Sequence, residues 1–281
     1  MEQIKTMSAP SPVPSTPGPG TSLKGKVALI TGASSGIGAS VARYFASLGC
    51  RLALTGRNLD NLQEVVEECI ERGLERDQIL LIQANFEDES DVKKTADQTI
   101  QKFKQLDVLV NNAGTASLDS IETLKLETFD TIFAVNVRAP LYLTHLLAPH
   151  LIASKGTVVN NSSLYGIRPM PSMTSYSLSK KSLDHMTRCI AEELAPYGVR
   201  VNAVNPGVIP TRILERMGVT DEAVQKTMFE FCKKTHAMRR TGTVDEIAKV
   251  VAFLASSDSS FTTGESLLAD GGSHLLVTTV D

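Results

Sequence analysis

The sequence predicts an α/β protein built on a doubly wound parallel sheet of about seven strands, and three observations predict it. Short continuous apolar runs alternate along the chain with stretches of helical periodicity, and such runs suit strands buried on both faces. The alternation implies right-handed strand–helix–strand crossovers that place helices on both sides of the sheet. A glycine-rich segment, Thr31-Gly-Ala-Ser-Ser-Gly-Ile-Gly38, separates the first apolar run from the first helical pattern. Phosphate groups bind at turns in that position.

The elements follow in order. Lys26–Thr31 (KVALIT) is a strand bounded by Gly25 and Gly32, and Ile37–Leu48 is a helix with Ile37, Val41, Phe45 and Leu48 at helical spacing. Leu52–Thr55, Ile79–Ala84 and Val108–Asn111 are strands, with helices at Asp60–Arg72 and Ser90–Phe103 between them. A long apolar helix is expected over Leu126–Leu151, then a strand at Thr157–Asn161 and a helix at Tyr176–Pro196. The strand Val199–Val204, a mixed segment Thr211–Met238, a helix Val244–Ala255 and a strand Ser266–Ala269 complete the pattern. One domain over residues 23–273 results. Residues 1–22, with five prolines and little to bury, read as a disordered Pro/Ser-rich tail, and residues 274–281 as a C-terminal tail.

Composition narrows the function. In the 281 residues, 28 basic against 31 acidic side chains give a net charge of −3, with no basic block. That argues against nucleic acid or an anionic membrane as the main partner. No apolar run reaches the roughly 18 residues of a membrane span, and residues 1–22 have neither a secretory nor a mitochondrial targeting pattern. Cys50, Cys69, Cys189 and Cys232 are scattered, with no C-x-x-C and no nearby histidine pair. No metal site is expected, and a reducing, cytoplasmic compartment fits.

The chemistry concentrates in Ser162–Lys181. Tyr176 and Lys180 stand four apart, on one face if helical. A phenol near its usual pKa of about 10 transfers protons poorly at neutral pH, and a neighbouring ammonium favours its ionised form. The Ser163 hydroxyl could steady a carbonyl oxygen beside them. Asn136 is out of place in a long helix on propensity grounds. At the glycine-rich turn, glycines 32, 36 and 38 permit tight turning and close approach of backbone to a pyrophosphate. Twenty residues past Gly36 the chain reads Gly56-Arg57, with no carboxylate for a ribose 2′-hydroxyl. An arginine there accommodates a 2′-phosphate, which favours NADP(H) over NAD(H).

These motifs, with Asn111-Asn-Ala-Gly114, Asn205-Pro-Gly207, Thr263-Gly264 and Asp270-Gly-Gly272 in the same order, make the chain resemble the one-domain short-chain dehydrogenase/reductases, with their Rossmann-type fold. The match spans about Leu23–Ser273. The resemblance implies an NAD(P)-dependent oxidoreductase with Asn136, Ser163, Tyr176 and Lys180 as its catalytic tetrad. Tyr176 exchanges the proton, Ser163 holds the substrate oxygen, and Lys180 lowers the Tyr176 pKa and binds ribose. Asn136 breaks its helix and holds a water in a proton relay. The family's spacing selects Ser163 rather than Ser162, and leaves Tyr165 as a pocket wall.

It further implies cofactor contacts at Thr31, Gly32, Ser34, Ser35, Gly36, Ile37 and Gly38, at Arg57, at Asn85 and Phe86 (where the family commonly has an acidic residue), and at Asn112, Ala113 and Gly114. Pro206, Gly207, Ile209 and Thr211 follow, together with Tyr176 and Lys180. Residues 211–238 match the substrate lid, rich here in Met217, Met228, Phe229, Phe231 and Met238, which suggests an apolar pocket. A homodimer or homotetramer is expected. The leading activity is reduction of a small, mostly apolar ketone or oxidation of the matching alcohol. A 3-oxoacyl or steroid-type substrate with NAD(H), or a non-catalytic NADP-sensing scaffold, stays open. A carrier-linked substrate calls for a basic patch, with Arg168, Arg212, Arg239 and Arg240 as candidates.

Overall fold

A computed structural model describes residues 22–217 and 219–275, apart from the side chains of Arg216 and Met228. Most of the expected N-terminal tail and residues 276–281 lie outside the described residues. Seven strands form one parallel sheet: β1 Val27–Ile30, β2 Arg51–Gly56, β3 Ile79–Gln83, β4 Val108–Asn111, β5 Thr157–Asn161, β6 Arg200–Pro206 and β7 Ser266–Ala269. Their order is β3-β2-β1-β4-β5-β6-β7. β1 pairs with β2 on one side and β4 on the other, so the direction of winding reverses between β1 and β4. Crevices beyond the carboxyl ends of the strands at such a reversal bind ligands.

The helices are α1 Gly36–Ser47, α2 Leu59–Glu71, α3 Glu89–Phe103, α4 Leu126–Phe133, α5 Ala139–Ser154, α6 Thr174–Leu194, α7 Ile213–Arg216, α8 Glu222–Thr235 and α9 Val244–Ala255. Alternation along β1 divides the core. Ala28 and Ile30 join Phe45, Val66 and Val251 on one face of the sheet, whereas Val27 and Leu29 join Leu143, Leu147 and Val158 on the other. Each such fully buried aliphatic side chain contributes roughly 1.5–3 kcal/mol relative to exposure, which anchors the strand ends that carry the site.

The expected helix Leu126–Leu151 needs correction. It is interrupted: α4 passes into a π-helical turn, Ala134–Arg138, before α5 continues to Ser154. Pro140 begins α5 without an N–H, so the carbonyl four residues earlier, at Asn136, has no α-helical donor. The Asn136 side chain, buried at 1% exposure, meanwhile bonds outside the helix. The sixth strand also runs two residues further than expected, to Pro206. His274 belongs to a short helical turn, Ser273–Leu275, and pairs with Asp270 at 2.8 Å.

Candidate active site

The glycine-rich turn is held from behind. Thr31 Oγ1 accepts the backbone N–H groups of Asn112 and Ala113, both at 2.9 Å, and Asn112 Nδ2 donates to the Thr31 carbonyl at 2.8 Å. These side chains tie β1 to β4. A β-carbon at Gly38 would lie 2.3 Å from Asn112 Nδ2 and 2.4 Å from the Gly32 carbonyl oxygen; only glycine lets the turn close. Helix α1 then begins with no acidic residue in its first turn, leaving the positive end of its dipole open to an anion.

A cleft of about 240 Å³ lies in front of this turn, lined by Gly32, Ser34, Ser35, Arg57, Asn85, Phe86, Ala113 and Gly114. Asn58, Asn61, Thr115, Val135, Arg212 and Glu215 also line it. The residues fit a dinucleotide: amides and a helix N-terminus for the pyrophosphate, and Arg57 and Arg212 among the charged residues of a rim that also holds Glu87 and Glu215. Asn58 caps α2 by accepting the Asn61 N–H at 2.9 Å, so the N-terminus of α2 stands beside Arg57. Thr211 packs its methyl over the turn, 3.2 Å from where a Gly36 β-carbon would sit. Ile37 and Ile209 turn their side chains into the core, and Gly207 is tied by its N–H to the Ala269 carbonyl at 3.1 Å. Of the cofactor residues expected from the sequence, Gly32, Ser34, Ser35, Arg57, Asn85, Phe86, Ala113 and Gly114 line the cleft, whereas Ile37 and Ile209 do not.

The tetrad residues converge at the inner end. A side chain at Gly114 would lie 3.3 Å from Asn136 Oδ1 and 3.6 Å from Lys180 Nζ, so both reach the cleft past a bare backbone. Asn136 Oδ1 accepts the Thr115 N–H, and its Nδ2 donates to the Thr115 carbonyl and to Ser179 Oγ, all at 2.9–3.0 Å. Lys180 Nζ donates to the Asn161 carbonyl at 2.8 Å and lies 5.7 Å from the Tyr176 ring centroid. The Ser163 hydroxyl accepts the Tyr165 N–H at 3.2 Å and stands near enough to the Tyr176 phenol to favour its ionised form.

Electrostatics corrects one expectation. Burial pushes the Tyr176 phenol up to about 12, with Ser163 pulling the other way and Tyr165 adding to the rise. Lys180 is itself brought down to about 8 by burial, opposed by Asp184. Desolvation dominates in the cofactor-free protein, and with Lys180 losing its proton before the phenol does, Ser163 is the group that favours the ionised phenol.

Helix α6 is anchored by a residue that its own sequence does not show. Asp119, buried at 4% exposure, accepts the Ser175 N–H at 3.2 Å and the Ser175 hydroxyl, while its backbone carbonyl takes the Thr174 N–H at 3.1 Å. It caps the catalytic helix from another loop. Asp119→Ala is expected to cost about 2 kcal/mol, as loss of a strong cap does, and to lower the thermal midpoint by roughly 4–8 °C. Calorimetry against wild type checks it.

The surroundings of the phenol are apolar: Ala116, Met173 and Tyr176 form a buried cluster with Tyr165, Ile213 and Met217 against it. Of the lid residues expected to line it, Met217 is in place, whereas Phe231 and Met238 are 57% and 60% exposed. The basic residues considered for a carrier patch are dispersed among other duties. Arg240 forms a two-pronged pair with Glu246 at 2.6 and 2.9 Å, Arg168 donates to the Ser273 carbonyl at 2.9 Å, and Arg212 lines the dinucleotide cleft.

A dinucleotide crevice at the reversal point of a parallel sheet, closed by tyrosine, lysine, serine and asparagine, defines a nicotinamide-dependent oxidoreductase. Residues 32–274 match the family model described as Enoyl-(Acyl carrier protein) reductase. The 3-oxoacyl-(acyl-carrier-protein) reductase of Thermotoga maritima is 36% identical over 89% of this chain and 98% of its own. Glucose 1-dehydrogenase of Gluconobacter oxydans is 37% identical over 88% of this chain and 91% of its own. The crystal structure of a Caenorhabditis elegans short-chain dehydrogenase/reductase of unknown function, solved with cofactor, superposes with a TM-score of 0.87 at 33% identity, covering 92% of this chain and 98% of that one. The chain belongs to the short-chain dehydrogenase/reductase family and is an NAD(P)-dependent oxidoreductase acting on carbonyl or alcohol groups.

Proposed function

We propose that the protein is an NADP(H)-dependent reductase of a small, mostly apolar ketone, or a dehydrogenase of the corresponding secondary alcohol. The observation that carries this reading is the buried Tyr176 phenol, with Ser163 beside it and Ala116, Met173 and Met217 around it. The nicotinamide supplies the hydride when bound. The protein's part is proton transfer and placement. Ser163 donates to the substrate oxygen, and Tyr176 delivers the proton that the oxygen needs as it becomes an alcohol. Lys180 holds its ammonium beside the phenol, where it offsets the negative charge left on Tyr176. The raised pKa keeps the phenol protonated at neutral pH, and a substrate oxygen becoming an alkoxide is basic enough to take its proton.

Asn136 positions Lys180 through Ser179 and the Thr115 loop. The relatives carry no substrate across, since a 3-oxoacyl reductase and a glucose dehydrogenase resemble this chain equally well. The wall of methionine and tyrosine supports the apolar choice. Exposed apolar residues Leu126, Leu141 and Leu178, on α4, α5 and α6, support assembly into a homodimer or homotetramer.

Arg57 is the proposed selector for NADP(H). Arg57→Ala is expected to weaken NADPH about 10- to 150-fold, the loss of a charge-assisted contact of roughly 1.5–3 kcal/mol, and to leave NADH affinity unchanged. Fluorescence titration with both nucleotides checks it; equal losses would remove Arg57 as selector.

The reading itself is tested by following NADPH and NADH absorbance with the purified protein and a panel of ketones, quinones and 3-oxoacyl thioesters. NADPH-preferring turnover of an apolar ketone supports it. Tight NADPH binding without turnover favours a cofactor-sensing scaffold, and NADH-preferring turnover of a thioester favours the acyl alternative.

A further inference from the structure

A buried carboxylate stands on the same helix as Tyr176 and Lys180. Asp184 lies on α6, four residues past Lys180 and eight past Tyr176, and is only 3% exposed. At those spacings it shares the helix face of both residues, one turn beyond the lysine. It forms no ion pair among the described residues; instead it grips neutral donors. Asn205 Nδ2, from the end of β6, lies 3.1 Å from each of its oxygens and 2.9 Å from the Ser163 carbonyl. One amide therefore bridges the carboxylate to the backbone of the serine beside the phenol.

Ser162 adds a second tie: its hydroxyl is within reach of the same carboxylate and 3.1 Å from the Lys180 carbonyl. Two residues past Ser162 the chain makes a short helical turn, Leu164–Gly166. A β-carbon at Gly166 would lie 2.6 Å from Asp184 Oδ2 and 2.9 Å from the Lys180 carbonyl carbon. The serine loop is thus pressed directly onto Asp184, with no room for any side chain between.

We propose that Asp184 is a positioning residue for this site: through Asn205 it clamps Ser163 against the catalytic helix, and its charge holds the proton on Lys180. The inference rests on the reductase reading. It follows from the placing of the groups around the ammonium. On α6 these are Tyr176 and Asp184, with Lys181 next in sequence; from the loop after β5, Tyr165 faces the phenol. Asp184 is the one acid in that set, and its attraction runs against the burial that drives the lysine toward neutrality. Burial raises the carboxyl's own pKa, while the donors Ser162 and Asn205 and the charges of Lys181 and Lys180 favour its ionised form. The clamp and the charge therefore depend on each other. The hydrogen bonds favour the ionised form against that burial, and the charge they favour is the one that acts on the lysine.

The test uses the full chain with lysines labelled at the ε-carbon, their resonances followed by NMR against pH without nucleotide. The signal that Lys180→Met removes is that of Lys180. Asp184→Asn keeps an acceptor for Asn205 and removes the charge; the Lys180 midpoint is expected to fall by about one pH unit. Asn205→Ala cuts the clamp and keeps the acid. With NADPH and a turned-over ketone it is expected to lose about tenfold or more in kcat, with KM for NADPH unchanged. Coincident Lys180 midpoints in wild type and Asp184→Asn would overturn the charge role. Wild-type kcat in a folded Asn205→Ala would overturn the clamp. Wild-type protein that binds NADPH but reduces nothing would instead fail the reductase reading, and the lysine midpoints would still decide whether Asp184 holds the proton.

Discussion

Tyr176→Phe is expected to abolish turnover while leaving NADPH binding intact. The variant removes one oxygen from a buried ring, so the apolar wall of Ala116, Met173 and Met217 keeps its contacts. What is lost is the proton donor, the group beside the Ser163 hydroxyl. General acid–base groups of this kind contribute typically 10²–10⁴ in rate, and a fall of that size in kcat is the expected result. The NADPH dissociation constant should stay within about threefold, because the cleft's phosphate-facing groups are untouched. Steady-state kinetics beside fluorescence titration measures both quantities. A variant that retains more than a tenth of the activity would show that another group supplies the proton.

The second large effect concerns stability against pH. Lys180 in the folded, cofactor-free protein sits at about 8, below the ordinary lysine range near 10.5. The unfolded chain therefore binds the proton more tightly, and holding Lys180 charged in its buried place costs stability at neutral pH. Between about pH 8 and 10.5 the unfolded state is the more protonated one, so folding stability rises with pH over that window. A displacement of that size corresponds to about 3 kcal/mol in all.

Tyr176 acts oppositely. Its folded pKa of about 12 exceeds the unfolded value near 10, so its contribution is complete below pH 10 and is lost as pH climbs toward 12. Denaturant unfolding from pH 7 to 11 should show the rise in wild type. In Lys180→Met it should be absent, the comparison of slopes removing the separate loss of the hydrogen bond to the Asn161 carbonyl. Parallel slopes would mean that Lys180 is solvated and near its ordinary pKa. Stability spent on a buried ammonium is the expected cost of placing it beside a phenol.

The glycine-rich turn, the strand that precedes it and the Tyr176–Lys180 pair were legible because each depends on neighbours within a few residues. Hydrophobic period, turn chemistry and helical spacing are local properties, and here they agree with the final fold. Val108–Asn111, Thr157–Asn161, Val244–Ala255 and Ser266–Ala269 lie where the pattern alone put them.

What remained hidden depends on residues brought together from far along the chain. Propensity marks Asn136 only as a poor helix former, and the break in its helix was implied by the family resemblance alone; its bonds to Thr115 and Ser179 emerge once the loop after β4 folds over it. Asp119 and Ser175 are 56 residues apart, and Asp184 and Asn205 are 21 apart on a helix and a strand that the fold brings together. Nothing in a linear pattern pairs them. Arg212 likewise has the look of a surface cation until α7 sets it at the rim of the dinucleotide cleft.

The direction of the Tyr176 shift was the deepest of these. Sequence spacing reveals that an ammonium stands one turn from the phenol, a short-range attraction that argues for a lower pKa. It carries no measure of how much water the finished fold removes from both groups. That loss of water is set by every element packed around α6, and in this protein it raises the phenol and lowers the lysine. The sequence by itself determined the sheet, the nucleotide turn and the identity of the reacting groups. The tertiary structure alone decided their solvation, and with it their proton affinities.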